Sequence, residues 1–322
     1  MSSSSQEKVV IVGFGWVGQA NALALSHAGY DVFYYDVQTP VLRYADTHQK
    51  TYDRIKPLSR VLEKDGPDTW YMVCVGDRVM PDGEQDISAI RKALEPLKEA
   101  KGGVILRSTV LPGHLKTLEF DYYVPEFLHE KKAVEECMVP HYFIVGSRTK
   151  EDAPRPSFFD RWENAAVKTF YGTPEEASYL KYLSNIWNSL RVAFVNEFGN
   201  AIALPTDEAA VSRNEAMLNF IFEEKGYLRY GRSYGGHCLP KDTHAFFAWH
   251  KAQGKNMAVI EAVHQSNLIH KKIEEKSPHL PEWFSDWVRP QVSGRAALAA
   301  LKISVVRNTK RLLKKPFLPK EI

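Results

Sequence analysis

The stretch from Gly231 to Thr243 reads Gly-Arg-Ser-Tyr-Gly-Gly-His-Cys-Leu-Pro-Lys-Asp-Thr. One cysteine, Cys238, stands among turn-forming glycines, with Lys241 and Asp242 a few residues on. A thiolate is a strong nucleophile, and a neighbouring cation increases the fraction of thiol present in that form. The adjacent Gly235 and Gly236 allow a tight turn or a close approach of backbone to ligand. Alone, the stretch has two readings: a reactive thiol in a built site, or a small buried thiol beside a solvated Lys–Asp pair.

A second group lies upstream. Lys181 and Asn185 are four residues apart in a helical pattern and share a face. An amine and an amide one turn apart suit a developing oxyanion, or they form an ordinary polar helix edge. Thr109, Glu126 and Glu130 follow apolar, strand-like runs. At the carboxyl ends of parallel strands they would face a ligand crevice. Otherwise Thr109 is a turn residue and the two glutamates begin a solvated helix.

The elements that must position these groups are legible in order. Val9–Val12 is an apolar, β-branched run that reads as a buried parallel strand. Gly13-Phe-Gly-Trp-Val-Gly18 follows it, then a helical stretch to Ala28, a stop at Gly29, and a strand Val32–Tyr35 ending in Asp36. This is the order of a dinucleotide-binding unit. The glycines permit the turn, the pyrophosphate faces the helix N-terminus, and Asp36 accepts from the ribose hydroxyls. A carboxylate there favours NAD, because a 2′-phosphate would be repelled. Further strands are expected at Trp70–Val75, Val104–Leu106, Tyr122–Val124 and Tyr142–Val145, with a helix over Ile87–Leu97. Their alternation implies an α/β fold with a doubly wound parallel sheet. Thr173-Pro174-Glu175-Glu176 then opens a long helix, to about Ala203, through a capping box. Leu180, Leu183, Trp187, Leu190, Phe194 and Phe198 form an apolar stripe along it. The spacing predicts a sheet domain over 1–172, a mainly helical domain over 173–276, and a linker with a basic tail over 277–322.

Composition sets outer limits. The chain has 322 residues, a formal charge of +3 and three widely spaced cysteines. That charge makes no case for nucleic acid, and the cysteines form no disulfide framework but fit a reducing, cytoplasmic setting. The polar start carries no apolar core segment, so no signal peptide is expected. No run approaches the roughly 18 apolar residues of a membrane span, and no metal cluster is expected.

Together, the motifs resemble the UDP-glucose/GDP-mannose dehydrogenase family over roughly residues 8 to 270. They run in order: Gly13–Gly18, Asp36, Asp82-Gly83 with Asp86-Ile-Ser88, Ser108-Thr-Val-Leu-Pro-Gly113, Pro125-Glu-Phe-Leu-His-Glu130, Lys181-Tyr-Leu-Ser-Asn185, Phe194-Val-Asn-Glu197, and Gly235–Thr243. The resemblance implies a four-electron oxidation of a sugar primary alcohol to a carboxylate, using NAD. Cys238 would form a thiohemiacetal and then a thioester. Lys181 and Asn185 would hold the oxyanion, Asp242 with Thr109 would order or deprotonate water, and Glu130 would assist hydrolysis. The cofactor side would comprise Gly13, Phe14, Gly15, Trp16, Val17, Gly18, Asp36, Val75, Ser108, Thr109 and Lys241. The substrate side would comprise Glu126, Phe127, Leu128, Lys181, Asn185, Tyr230, Tyr234, Gly235, Gly236 and Cys238. The apolar stripe offers a homodimer surface.

The chain departs from the family at several points. His237 precedes the cysteine where a small residue is usual, and His244 stands where a basic residue is common. Around Cys74-Val-Gly-Asp-Arg78 the usual proline-rich turn is replaced. No second glycine-rich strand–turn–helix unit follows the long helix, so a reduced architecture without the C-terminal UDP-binding domain is expected. Instead a Pro- and Trp-containing linker leads to an amphipathic helix over Ala296–Lys315, rich in Lys and Arg. That helix reads either as a contact to a membrane surface or anionic partner, or as a packed helix with a solvated basic rim. The substrate is then a nucleotide sugar, a smaller or lipid-linked sugar, or, if the chain is a silent NAD-binding scaffold, none.

Overall fold

A computed structural model of the chain describes residues 7–129, 132–148, 154–205, 208–222, 230–236 and 238–276. Glu130, His237 and the basic stretch beyond residue 276 lie outside the described residues. The described elements run β1 Lys8–Val12, α1 Trp16–His27, β2 Asp31–Tyr35, α2 Ala45–Tyr52, β3 Lys56–Pro57, β4 Thr69–Val73, β5 Arg78–Val79, β6 Gln85–Asp86, α3 Ser88–Leu94 and β7 Gly103–Leu106. They continue with α4 Pro112–Leu115, β8 Tyr122–Tyr123, α5 Ala133–Met138, β9 Tyr142–Ser147, α6 Phe158–Ala165, β10 Lys168–Gly172, α7 Pro174–Ile202, α8 Glu208–Phe222, α9 Leu239–Ala252 and α10 Ala258–Glu274.

Eight strands form one sheet in the order β10-β9-β8-β7-β4-β1-β2-β3. All neighbours pair in parallel except β8 with β9, which run antiparallel. The sheet is therefore doubly wound but not purely parallel. The β1 strand separates a run to one side (β2, β3) from a run to the other (β4, β7), which makes its carboxyl end the switch point where ligands bind. Alternation along β1 explains the two cores. Val9 and Ile11 pack on one face with Leu23, Met72 and Phe158; Val10 and Val12 pack on the other with Tyr71, Ile90 and Leu106.

Three local expectations change. The helix expected over Ile87–Leu97 is α3 to Leu94 and then a 3₁₀ turn over Glu95–Glu99. Pro96 is the reason, since it has no N–H to continue the α-helical ladder. The strand expected at Tyr142–Val145 continues through Gly146 to Ser147. Edge strand β10 was not foreseen, because its half-exposed Lys-Thr-Phe-Tyr-Gly sequence has no apolar run.

The long helix forms as its sequence dictates. Thr173 accepts from the Glu176 amide, Glu176 reaches back to the Thr173 amide, and Pro174 takes the first turn. At 1.5 Å per residue α7 spans about 44 Å. Its buried face mixes apolar residues such as Tyr182, Val192 and Val195 with polar ones, among them Ser178, Lys181, Asn185, Ser189 and Asn196. Its aromatic stripe points outward, with Trp187 55% and Phe198 52% exposed. Helices α9 and α10 pack on α7 around Val192, Ala193, Tyr234, Leu239 and Val263. Among the described residues no helix is long and apolar enough to cross a membrane. Replacing Thr173→Ala removes the reciprocal cap. We expect a loss of about 1 kcal/mol in a urea denaturation series, with the sheet domain's circular-dichroism signature unchanged.

Candidate active site

The cofactor cradle is built by the turn after β1. Gly13 has φ of 89°, and a Cβ on Gly18 would stand 2.0 Å from the Gly13 carbonyl oxygen, so neither position accepts a side chain. A Cβ on Gly15 would meet nothing within 4 Å, which leaves the outer side of the turn open. Gly15 caps α1 with no side-chain hydrogen bond, so the first-turn amides of α1 have no side-chain acceptor from the cap. These features fit a pyrophosphate at the helix N-terminus. Asp36 sits at the end of β2 with Oδ2 accepting from the Phe14 amide (2.6 Å) and Oδ1 from the Gln38 amide (2.9 Å). Each carboxylate oxygen retains a lone pair for a ribose hydroxyl. Val75 packs against Gly13, and the buried Ser108 hydroxyl at the end of β7 has no hydrogen-bond partner. The residues present therefore fit a dinucleotide.

Two details differ from expectation. Phe14 contributes backbone only, since its ring is buried and stacked on Tyr34 with centroids 3.9 Å apart. Buried Gln19, missed in the sequence, ties the turn to the segment after β2. Its amide donates to the Phe14 and Val41 carbonyls (2.7 and 2.9 Å), and its oxygen accepts from the Arg43 amide (2.8 Å) and the Tyr52 hydroxyl.

The candidate nucleophile stands at the start of α9. Cys238 is the N-cap of α9, with Pro240 in the first turn and Gly236 in a left-handed backbone conformation (φ 73°) just before it. Cys238, Gly235, Gly236, Lys181, Asn185, Phe127 and Leu128 line one cavity of about 930 Å³. Burial pushes the Cys238 thiol up to about 11; Lys181 and Lys241 pull it down, while Glu126 and Asp242 oppose them. Lys181 is only 3% exposed. Its ammonium lies 3.9 Å from Glu126 Oε1 and 5.1 Å from the centre of the Phe127 ring. Glu126 is itself fixed by the Leu128 amide at 2.8 Å.

Beneath the cysteine lies a buried charge cluster. Asp242 has no exposed surface. Its Oδ2 accepts from Asn185 Nδ2 and its Oδ1 from Lys241 Nζ, both at 2.6 Å. Lys241 also donates to Asp77 Oδ1 at 2.7 Å; burial acts to lower its pKa, but the Asp242 and Asp77 carboxylates together outweigh it and hold it above the usual lysine value. Asp242 is thus a clamp on Asn185 and Lys241, not the cavity-facing water base expected from the motif. Thr109 is buried beside the cluster, where its carbonyl meets the Gln85 amide at 3.1 Å. It does not line the cavity, and neither does Ser108.

Tyr230 and Tyr234 are corrections as well. The Tyr230 hydroxyl bonds to Asn200 at 2.9 Å, and its ring fills the space a side chain at Gly199 would take. The Tyr234 hydroxyl donates to the Val263 carbonyl at 3.3 Å. Both side chains are core residues of the helical domain. His244 stacks on His264 with ring centres 4.8 Å apart, beneath the turn at Gly83.

Residues missed in the sequence complete the site. Asp77 and Gln85 hold Lys241 and the Thr109–Leu111 segment. Lys168, Asn188 and Arg191 join the cavity wall. A signal for Arg191 was present: Lys181, Ser184, Asn185, Asn188 and Arg191 recur at three- and four-residue spacing, a polar stripe on one helix face. Lys168, Lys181 and Arg191 give the cavity a cationic wall, and Glu136, 2.6 Å from His129, contributes the opposite charge.

Residues 175–268 match the UDP-glucose/GDP-mannose dehydrogenase family, central domain. GDP-mannose 6-dehydrogenase of Pseudomonas aeruginosa is 26% identical over 278 residues, 74% of this chain and 63% of that protein. UDP-glucose 6-dehydrogenase of Campylobacter jejuni is 26% identical over 309 residues, 85% of this chain and 76% of that protein. A UDP-glucose dehydrogenase structure from the archaeon Pyrobaculum islandicum shares the fold, with a TM-score of 0.69 at 24% identity over 84% of this chain and 69% of that one. The chain spans about 63% of the length of the GDP-mannose 6-dehydrogenases it matches. From the raised thiol we expect iodoacetamide labelling of Cys238, followed by mass spectrometry, to accelerate roughly tenfold per pH unit from about pH 7 to about pH 10. Lys181→Met, which removes the cation, shifts that profile to higher pH.

Proposed function

We propose that this chain, whose residues 175–268 match the central domain of the UDP-glucose/GDP-mannose dehydrogenase family, oxidises the primary alcohol of a nucleotide sugar to a carboxylate, with NAD as hydride acceptor. The observation that carries the reading is the convergence of Cys238, Lys181 and Asn185 on one cavity of about 930 Å³ with a cationic wall. A cavity of that size admits a sugar nucleotide, and Lys168 and Arg191 offer its diphosphate the charge it needs.

The cofactor would lie on the glycine turn of Gly13–Gly18, with Asp36 on its ribose. Two NAD⁺ molecules, bound there in turn, would each accept one hydride in one of two oxidations. The first converts the alcohol to an aldehyde with loss of a proton. The Cys238 sulfur then bonds to the aldehyde carbon, and the thiol proton ends on the former carbonyl oxygen. The attacking form is the thiolate, so the thiol proton must leave as the C–S bond forms, against a burial that pushes the thiol up to about 11. Lys181 and Asn185 stabilise the oxygen while it carries charge. The second oxidation leaves a thioester. Water adds to its carbonyl carbon, the C–S bond breaks, and the carboxylate departs as the thiol is restored. Glu126 is the buried carboxylate beside Lys181, 3.9 Å from its ammonium. Asp242 acts at one remove, by holding the Asn185 amide. Covalent capture keeps the reactive aldehyde in place between the two oxidations.

The outward aromatic stripe of α7 supports an isologous homodimer, since Leu183, Trp187 and Phe198 are more than half exposed in the single chain. Two tests follow. With UDP- and GDP-sugars and NAD⁺, the native chain is expected to form two NADH per sugar consumed, and Cys238→Ala to abolish the formation of carboxylate. One NADH per sugar, or full turnover in Cys238→Ala, overturns the mechanism. Trp187→Glu with Phe198→Glu is expected to halve the mass seen by light scattering.

A further inference from the structure

The loop after β4 is where the chain departs from the family's usual turn, and it places Asp77 in the charge cluster under Cys238. The Asp77 side chain is almost fully buried and both of its oxygens are used. Oδ1 accepts from Lys241 and Oδ2 from the Gln85 amide, each at 2.7 Å. Gln85 in turn accepts from the Leu111 amide at 2.8 Å and reaches the Thr109 carbonyl and the Tyr182 hydroxyl. On its other side Lys241 meets Asp242, and Asp242 meets Asn185 on α7. The Asp242 amide also closes the first turn of α9 on the Cys238 carbonyl, at 2.9 Å.

One unbroken line of polar contacts therefore runs from the loops after β4 and β7, through Gln85, Asp77 and Lys241, to the cysteine turn and to Asn185. We propose that Asp77 is a positioning residue: it latches Lys241, and with it Asp242 and the Cys238 turn, to the cofactor-binding sheet. A lysine shared by two buried carboxylates is held in place, and their negative charge opposes its pull on the thiol. Asp77 thus sets both where the cysteine turn sits and how strongly Lys241 acts on the sulfur. The proposal deepens the reading of Cys238 as the reactive centre. Its test follows alkylation of the thiol instead of turnover, so it stands or falls separately from the dehydrogenase activity.

The experiment measures iodoacetamide labelling of Cys238 against pH in the full chain, resolved from Cys74 and Cys137 by mass spectrometry. In Asp77→Asn, Lys241 keeps one carboxylate in place of two, and the labelling midpoint is expected to fall by about one pH unit. Asp77→Glu, which retains the charge, is expected to stay closer to the native profile. In a Lys241→Met background the Asp77→Asn shift is expected to vanish, because Asp77 acts through the lysine. An unchanged midpoint in Asp77→Asn, or an equal shift in both backgrounds, overturns the proposal. Should Asp77→Asn fail to fold, hydrogen exchange in Lys241→Met decides from the other side of the latch. Faster exchange over residues 76–86 supports the proposal, and native exchange rates there overturn it.

Discussion

Lys241 is held between two carboxylates that approach it from opposite directions. Asp242 comes from its own helix, and Asp77 from a loop 164 residues earlier. Charges out of water are tolerated only when each has a partner, and losing one partner of such a pair costs about 3–5 kcal/mol. The cluster therefore requires four parts of the chain at once: the β4 loop, the β5–β6 hairpin, α7 and α9. It is one of the places where the helices α7 and α9 are tied to the loops of the sheet, next to the turn that carries the cysteine.

That constraint explains an otherwise odd helix. An isolated amphipathic helix would bury its aromatic stripe, yet α7 buries Lys181, Asn185 and Ser189 and leaves Trp187 and Phe198 outside. The polar face is turned inward because each of its groups has a partner there. Asn185 meets Asp242, Lys181 faces Glu126, Ser178 bonds the Val110 carbonyl at 2.6 Å, and Ser189 accepts from Thr243 at 2.9 Å. Pairing removes the cost of burying them, and the stripe is left to cover another surface.

The cofactor half of the site depends on different physics. Its turn is shaped by what cannot fit, namely a side chain at Gly13 or Gly18, and the Asp36 carboxylate bonds the Phe14 amide on that turn. Gln19 then fastens the following segment, so that the end of β2 and the start of α1 form one wall. The two halves divide the labour. Backbone sterics build the cradle, and buried electrostatics build the reactive centre.

Much of this was readable from residue types at short range. The strand, glycine turn, helix and acid of residues 8–36, the capping box at Thr173, and Cys238 with its glycines are local signals, each enforced by sterics or by hydrogen bonds between near neighbours. The sequence alone therefore determined the first strand–turn–helix–strand unit and the long helix, and it pointed to Cys238 as a candidate nucleophile. What it did not determine was partnership. Asp77, Gln85 and Gln19 look like surface polar residues until folding places them against Lys241, Thr109 and Val41. Tyr230 and Tyr234 look like ligand contacts until the helices enclose them. Asp242 looks like a base until its carboxylate is seen to have no access to the cavity. The reason is physical: burial and pairing are properties of groups distant in the chain, and only the packed tertiary structure decides which of them meet.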